Sequence, residues 1–456
     1  MPAYYLLSLG CAKNTVDSEG MAQLLTRAGF QSTDDPAAAD LLIVNTCGFI
    51  APARQESLDT LCNLASTKRS DQRLIAAGCW AQMEGSRLPI LVPGIDGVLG
   101  TRRWMDLPDV LNRLARQTNR PLIHVPAEPM SLDPDVTGLR CAAVQGASAY
   151  IKIADGCRRP CAFCTIPRIK GTSVSRPVHR VVADAVDLAA QGIKEIILVA
   201  QDTTDYGADR GEVDGLAELL QQLVVAAPQV PWIRIMYAFP GSVTPRLIET
   251  MARTPQVLHY LDIPLQHAHP AVLRRMRRPS NVGWVRQTVA RMRSLMPDLA
   301  IRTTFIVGYP GETADQFQAL MDLLEEMRFD RVGAFRFWPE PDTVAADLPA
   351  QVPAEIKAER LDRLMTLQQQ ISLERNREHV GRTLDVLVEG YQEGLAIGRS
   401  YRDAPEIDGL VLLQERAPLG SLVPVRITGA LAYDLIGERV QGDAQPPLNT
   451  SRLVRA

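Results

Sequence analysis

Residues 154–167 read ADGCRRPCAFCTIP and come directly after an apolar run that predicts a buried strand. Within this stretch, Cys157, Cys161 and Cys164 have the spacing C-x3-C-x2-C. Three thiolates at this spacing can surround one corner of a [4Fe–4S] cluster, which normally takes four thiolates. One iron is then left without a protein ligand, so the stretch predicts a cluster that can bind a small molecule.

A structural zinc site is the alternative for the same three cysteines. Zinc in such sites is usually held by two short Cys knuckles and needs a fourth Cys or His ligand. No histidine lies near this stretch, and its spacing differs from that of paired knuckles. The pattern therefore favours an iron–sulfur cluster over zinc.

The chain around these cysteines alternates short apolar strands with helices. Strands are predicted at residues 149–154, 195–200, 232–236, 260–263, 300–307 and 331–337. Helical patterns fit between them, and a long helix over residues 354–378 closes this part of the chain. Six such units predict a (β/α)6-type partial barrel with its site at the carboxyl ends of the strands.

Three further cysteines follow apolar strands nearer the N-terminus. Cys11, Cys47 and Cys79 come after the runs 4–9, 41–45 and 74–77, each beside a glycine that lets backbones approach closely. Ligands of an open parallel sheet bind outside the carboxyl ends of its strands, so the three thiols are expected to converge. Cysteines are often simply buried, but three in one context favour a second cluster with an open iron.

The sequence also divides the chain into domains. Residues 1–120 are expected to form an open parallel-sheet domain, residues 121–142 a proline-rich linker, and residues 143–378 the partial barrel. Residues 379–445 contain short apolar strands between Gly and Pro turns, which predicts a small antiparallel β-barrel. Cys62 and Cys141 share neither cysteine context and are interpreted as structural.

The composition is that of an ordinary globular protein, with 46% hydrophobic and 22% charged residues among 456. A formal net charge of −3 gives no chain-wide basic field to attract nucleic acid, although it leaves room for a local basic patch. No apolar run reaches the roughly 20 residues that span a bilayer, and no secretory signal is evident at the N-terminus. We therefore expect a cytoplasmic α/β protein with no membrane partner.

The cysteine motif after the first barrel strand resembles the signature of the radical S-adenosylmethionine (SAM) superfamily. From about residue 5 to residue 440, the chain resembles the methylthiotransferases, and within them the RimO branch that modifies a ribosomal protein. The matching segments are SLGCAKN (8–14), VDSE (16–19), NTCGFI (45–50), QDTTDYG (201–207), DIPLQH (262–267) and GRSYRDAPEIDG (398–409). The departures, at Ala12, Thr15 and Trp338, replace no cysteine.

This resemblance implies β-methylthiolation of an aspartate in small-subunit ribosomal protein twelve. One SAM, bound at the open iron of the barrel cluster, would give a 5′-deoxyadenosyl radical that removes hydrogen from an unactivated carbon. A second SAM would supply the methyl group, and the second [4Fe–4S] cluster would deliver the sulfur. The last domain would be a TRAM β-barrel, and a reduced flavodoxin or ferredoxin-type protein is the expected electron donor.

Residues near the predicted strand ends are candidates for contacts with SAM. The candidates are Phe163, Gln201, Asp202 and Gln266, and no catalytic residue is expected beyond the six cluster cysteines. Phe163 is placed where the superfamily has an aromatic residue near adenine. Ordinary packing or loop capping is the alternative for each of the four.

Two other functions compete with this interpretation. The tRNA-modifying branch of the same family is the close alternative, but RNA binding favours positive charge, and residues 382–440 contain nine acids against six bases. An acidic barrel suits a basic ribosomal protein, and Glu406 and Asp408 are expected to help dock it. The other alternative, a non-catalytic iron–sulfur carrier or scaffold, would normally close its clusters with four ligands.

The basic run 274–278 is expected to meet a ribosomal or nucleic-acid partner or to form a solvated helix face.

Overall fold

The computed structural model describes residues 1–116, 121–128 and 138–440, which form three domains. The middle of the expected linker, residues 129–137, and the end of the last expected domain, residues 441–445, lie outside the described residues. Among the described residues, no helix combines the length and apolar character needed to cross a bilayer.

The N-terminal domain is a six-stranded parallel sheet in the order β2-β1-β3-β4-β5-β6. Its strands are β1 (Ala3–Ser8), β2 (Gln31–Ser32), β3 (Leu41–Thr46), β4 (Arg73–Ala77), β5 (Gly97–Gly100) and β6 (Leu122–His124). Its helices are α1 (Ala12–Arg27), α2 (Ala51–Thr67), α3 (Gly78–Glu84), α4 (Leu88–Leu91) and α5 (Leu107–Arg116). Ser8 pairs with Asn45 and Asn45 with Ala77, so β1, β3 and β4 end at one edge of the sheet.

Strand β6 differs from the expectation that residues 121–142 form a linker. Leu122 is buried and pairs with Gly97 of β5, so these residues extend the N-terminal sheet. A three-residue edge strand is too short to show periodicity, and the preceding Pro121 is tolerated at the start of such a strand.

The second domain is a partial barrel, as predicted. Its strands are β7 (Ala142–Gln145), β8 (Ser148–Lys152), β11 (Glu195–Val199), β12 (Trp232–Ile235), β13 (Val257–Asp262), β14 (Ala300–Val307) and β15 (Arg331–Arg336), with a separate hairpin of β9 (Ala154–Asp155) and β10 (Val174–Ser175). Its helices are α6 (Ile166–Lys170), α7 (Val178–Ala190), α8 (Gly215–Ala226), α9 (Pro245–Arg253), α10 (Pro270–Arg275), α11 (Val282–Leu295), α12 (Ala314–Met327) and α13 (Ala354–Arg377). Strand β8 and strands β11 to β15 are parallel, while β7, which the sequence did not predict, is an antiparallel edge strand.

The C-terminal domain is a closed five-stranded barrel, which confirms the predicted fold class. Its strands are β16 (Thr383–Gln392), β17 (Leu395–Ser400), β18 (Val411–Leu413), β19 (Leu422–Ala430) and β20 (Leu435–Arg439). Four of its strand pairs are antiparallel, and the pair β18 and β20 that completes the closure is parallel.

The C-terminal five-stranded barrel, called here the small barrel, docks through buried charges on the partial barrel, called here the large barrel. The contact is at the amino-terminal ends of the large-barrel strands. Arg399 donates to Glu195 at 2.5 Å and to Ser148 at 3.0 Å, at the first residues of β11 and β8. Arg234 of β12 donates to the second oxygen of Glu195 at 2.6 Å. Burial alone would raise the pKa of Glu195, but Arg399 and Arg234 outweigh it and lower the pKa to about 2.

The same interface corrects the expected role of Asp408 in docking a partner. Its side chain is only 1% exposed, accepts a hydrogen bond from the Tyr260 hydroxyl at 2.6 Å and lies 3.4 Å from Arg302. Asp408 therefore holds the small barrel against the large one. Glu406 is exposed and stays available to solvent.

We expect Glu195→Ala to destabilise the contact between the two barrels by about 3–5 kcal/mol, because it leaves two buried arginines without their shared carboxylate. Chemical denaturation and limited proteolysis between the barrels measure this loss. The matched control is Glu218→Ala, which removes an exposed pair with Arg246 and should change stability by less than about 1 kcal/mol.

The Glu195 contribution also has a defined pH dependence. Because folding lowers its pKa from 4.5 to about 2, its stabilisation is present above pH 4.5 and is lost as the pH falls toward 2. In Glu195→Gln, the free energy of unfolding should no longer lose this contribution between pH 4.5 and 2. Denaturant titrations at several pH values measure it, and the same pH dependence in the variant and the wild type would contradict the assignment.

Candidate active site at two cysteine triads

Cys11, Cys47 and Cys79, called here the N-terminal triad, lie together at the edge where β1, β3 and β4 end. The buried Asn14 side chain connects their loops, since its amide nitrogen donates to Leu9 O at 2.9 Å and to Thr46 O at 3.2 Å. Its oxygen lies 3.5 Å from the Cys79 Sγ. The structure thus brings together the three cysteines that the sequence placed after three strands.

Gly10 allows this close approach of the loops. Its φ is +98°, and a Cβ at this position would lie 2.9 Å from the Cys47 Cβ and 3.0 Å from its sulfur. Any larger residue would therefore fill the space beside the Cys47 thiol, in a backbone conformation that L-residues rarely adopt.

The three thiols of the N-terminal triad differ in electrostatic environment. Burial would raise the pKa of Cys11, but the charge of Lys13 and the backbone N–H groups of Asn14 and Lys13 lower it below its ordinary value. Burial raises the pKa of Cys47, and it raises that of Cys79 to about 12. Cys79 is therefore a neutral thiol until a cation replaces its proton, as happens when a thiol binds a metal.

Cys157, Cys161 and Cys164, called here the barrel triad, lie in the loop between β9 and α6. Cys157 N donates to Gly171 O at 3.0 Å, and Ala162 N donates to Met276 O at 2.9 Å, so both ends of the loop are tied down. Burial raises the pKa of Cys157 to about 11 and that of Cys164 to about 12. These thiols, too, need a bound cation to ionise at neutral pH.

Two arginines border the barrel triad and enclose one aromatic ring. Arg159 lies 4.2 Å and Arg278 lies 4.1 Å from the centre of the Phe239 ring. Arg159 also donates to Asp202 at 2.7 Å, and Arg278 lies 3.7 Å from the Cys161 sulfur. Arg278 belongs to the basic run 274–278, so this member of the run faces the cysteine loop.

The four candidates for SAM contacts divide into two groups. Gln201 donates to Asp155 at 2.9 Å, while its own oxygen is buried with no hydrogen-bond partner among the described residues. Asp202 accepts hydrogen bonds from Arg159 and Thr204, so both lie beside the cysteine loop. Phe163 packs against the apolar cluster around Tyr309 and Phe337. Gln266 has a φ of +72° and pairs by its backbone with β14.

A cluster of four charges joins helix α1, which follows Cys11, to the loop of the barrel triad, and the sequence did not predict it. Three of its members are buried, and Asp155 is partly buried. Lys170 of α6 donates to Asp17 of α1 at 3.0 Å and to Asp155 at 3.2 Å. Lys152, at the end of β8, pairs with the same two carboxylates. Burial would raise the pKa of Asp155, but Lys152 and Lys170 lower it below its ordinary value. We call these four residues the charge quartet.

The quartet lies close to both triads. Asp155 comes two residues before Cys157, and Lys170 ends the helix that follows Cys164. Lys170 is also near enough to Cys79 to oppose the rise in its pKa. The signal that would have revealed the quartet is the position of its acids and bases within a few residues of cysteines.

Both triads have the donor set of an iron–sulfur site. Each supplies three thiols, and thiolates are the usual ligands of such clusters. In the described parts of the chain, no three Cys, His, Asp or Glu side chains close around a single ion. A cubane differs from a single ion in taking each thiolate on a separate iron.

Comparison with family models divides the chain into three matched regions. Residues 3–100 match the uncharacterized protein family UPF0004, residues 151–324 the radical SAM superfamily, and residues 380–440 the TRAM domain. Each triad thus falls in a separate matched region.

Full-length relatives are similar over nearly the whole chain. A protein of Chloroflexus aurantiacus named ribosomal protein uS12 methylthiotransferase RimO is 50% identical over 455 residues, which cover 95% of this chain and 99% of that protein. A protein of Synechocystis with the same name is 44% identical, covering 96% of this chain and 97% of that protein. Among solved structures, the radical SAM methyltransferase TsrM of Kitasatospora setae has a TM-score of 0.53 at 15% identity, covering 86% of this chain and 82% of that one. This last likeness shows the fold alone.

We expect Lys170→Met to destabilise the docked N-terminal domain by about 3–5 kcal/mol, because it leaves two largely buried aspartates with a single lysine. The double variant Lys170→Met with Asp17→Asn restores charge balance and should be less destabilised than the single variant. Thermal unfolding measures both. Arg286→Met, which removes an exposed pair with Glu326, is the control and should shift stability by less than about 1 kcal/mol. Equal losses in the single and double variants would contradict the coupling.

Proposed function

Because this chain belongs to the RimO family of ribosomal protein uS12 methylthiotransferases, we propose that its two cysteine triads are the two halves of one methylthiolation site. The chain is a radical SAM methylthiotransferase that catalyses β-methylthiolation of an aspartate in the small-subunit ribosomal protein uS12. The observation that best supports a shared site is the charge quartet, which joins the helix that follows Cys11 to the loop of the barrel triad.

The tRNA-modifying alternative is not favoured. The relatives that match at 44–50% identity over most of this chain are named for the ribosomal protein. The charge of the small barrel agrees with this. With the buried Arg399, Arg402, Asp403 and Asp408 set aside, seven acids and four bases remain in residues 382–440. A net negative surface repels a phosphate backbone and suits a basic protein.

The enzyme uses SAM and an iron–sulfur cluster, and we propose two [4Fe–4S] clusters. The barrel triad would hold one, and the N-terminal triad the other. When bound, the clusters supply the electron for SAM cleavage and the site from which sulfur is transferred. Cys62 lies outside both triads, half-buried with its sulfur 3.9 Å from Leu91 O, and Cys141 is fully buried, in agreement with structural roles.

The protein's own residues around the barrel triad orient its loop. Arg159 is held by Asp202 and by Ser242, so the loop is fixed to the connections that follow β11 and β12. Arg278 places its guanidinium 3.7 Å from the Cys161 sulfur. Positive charge beside a thiolate favours the ionised form, and we propose that both arginines help to balance the charge of a bound cluster.

We propose that Phe163, Gln201, Asp202 and Gln266 contact SAM. The support is that Gln201, Asp202 and Gln266 follow the carboxyl ends of barrel strands and that Phe163 lies in the cysteine loop. For Gln201 it is also a buried oxygen without a hydrogen-bond partner among the described residues. Such an acceptor suits an ammonium or hydroxyl group of a ligand. Asp202 already accepts two hydrogen bonds, and we expect its contact with SAM to share the carboxylate with Arg159.

We further propose that the exposed acids of the small barrel, Glu406 among them, help to dock uS12. The electron donor is proposed to be a reduced flavodoxin or ferredoxin-type protein. Since its substrate is a ribosomal protein, the enzyme is expected to work in the cytoplasm.

Cysteine variants should separate the two halves of the site. Cys79→Ser is expected to lower the iron content from about eight to about four per chain and to abolish methylthiolation, while SAM cleavage to 5′-deoxyadenosine continues. Cys161→Ser should lose the same amount of iron but also stop cleavage. Iron analysis and chromatography of 5′-deoxyadenosine measure these effects. The control Cys62→Ser should keep both; full iron in Cys79→Ser would refute the second cluster.

The substrate is tested by mass spectrometry of uS12 from cells with and without this enzyme. We expect one aspartate-containing peptide to carry a methylthio group in place of hydrogen only when the enzyme is present. Transfer RNA from the same cells is the internal comparison. An unaltered uS12 peptide together with an enzyme-dependent change in tRNA would overturn the assignment.

A further inference from the structure

One cation beside the N-terminal triad lacks a carboxylate partner. Lys13 lies two residues after Cys11, in the first turn of α1, and forms no ion pair within the described residues. Its ammonium lies 3.6 Å from the centre of the Tyr237 ring. The other two lysines near the triads, Lys152 and Lys170, are both fully paired in the charge quartet.

The nearest acid is already occupied. Asp262, at the end of β13, accepts from Arg302 at 3.1 Å and from the Tyr237 backbone N–H at 3.2 Å. It can therefore attract Lys13 only from a distance. A half-buried ammonium with an aromatic face on one side and no bonded anion has free capacity for a carboxylate.

Tyr237, whose ring lies against this ammonium, has an uncommon backbone conformation. Its φ is +61°, which is uncommon for a residue other than glycine, and its carbonyl accepts from Thr203 N at 3.1 Å. Strain of this kind persists where the surrounding structure enforces it, and it is concentrated at functional sites.

Lys13 also lies between the two triads. It is bound to the N-terminal triad through the chain, while Tyr237 is two residues from Phe239, the ring enclosed by the two arginines of the barrel triad. A group held at Lys13 would therefore lie near Cys11 and two residues along the chain from the ring that borders the barrel triad.

Resting on the proposed function, we propose that the Lys13 ammonium binds the carboxylate of the substrate aspartate in uS12. The reacting β-carbon is one bond from that carboxylate. An ion pair of about 2.8 Å would place this carbon about 4–5 Å from the Lys13 nitrogen, beside Cys11. Lys13 is then a substrate-binding residue that selects aspartate over its neutral isostere, asparagine.

The test measures binding of intact uS12 to the iron-loaded enzyme by fluorescence anisotropy. Wild-type uS12 is compared with a uS12 variant whose target aspartate is replaced by asparagine. We expect the wild-type enzyme to bind the asparagine variant about tenfold or more weakly. In Lys13→Met this preference should vanish, so that both forms of uS12 have the same dissociation constant. Lys13→Arg, which keeps the charge, should retain it.

The matched control is Lys194→Met, the same chemical change directly before the first residue of β11, away from the cysteine loops, which should keep the full preference. Iron content is measured in parallel, and a Lys13→Met enzyme that loses iron yet still prefers aspartate would overturn the proposal. If Lys13→Met does not fold, Lys13→Gln is tested in its place. The wild-type enzyme gives a further test that needs no variant: if it binds both forms of uS12 equally well, the proposal is rejected. Turnover of uS12 by the wild-type enzyme tests the proposed function separately, so the two failures are distinguishable.

Discussion

Four charges sealed between two domains set the geometry on which the site depends. The N-terminal domain contributes Asp17, and the large barrel contributes Lys152, Lys170 and Asp155. Each domain alone therefore has one unbalanced charge at this surface, and neutrality is reached only when the two are docked. Because an unpaired buried charge is strongly unfavourable, the arrangement penalises any other relative orientation.

This constraint reaches the cysteines directly. Asp17 lies on the helix that begins after Cys11, and Asp155 and Lys170 flank the loop of the barrel triad. The second interface, between the two barrels, is also fixed by buried ion pairs, because Arg234 and Arg399 both bind the Glu195 carboxylate. Both junctions of the protein are therefore specified by ion pairs as well as by hydrophobic burial.

The sequence was sufficient for those features that local pattern encodes. Apolar runs ending in Gly-Cys or Thr-Cys predicted three strands of the first sheet, and Cys11, Cys47 and Cys79 are indeed brought to one edge. Features made by residues distant in sequence were missed. Asp408 looked like a docking acid because nothing nearby in sequence reveals its bond to Tyr260, 148 residues away. The edge strand β7 and the short β6 are too brief for their periodicity to be recognised.

The opposite placement of the small barrel and the cysteines has a consequence for evolution. Arg399 meets the first residue of β11, whereas Gln201 follows the last, so a strand length of roughly 15 Å separates the two ends. Substitutions on the outer face of the small barrel can accumulate without moving any ligand of either triad. Partner choice and radical chemistry are thus free to diverge at different rates, which gives lineages a way to change the target while preserving the reaction.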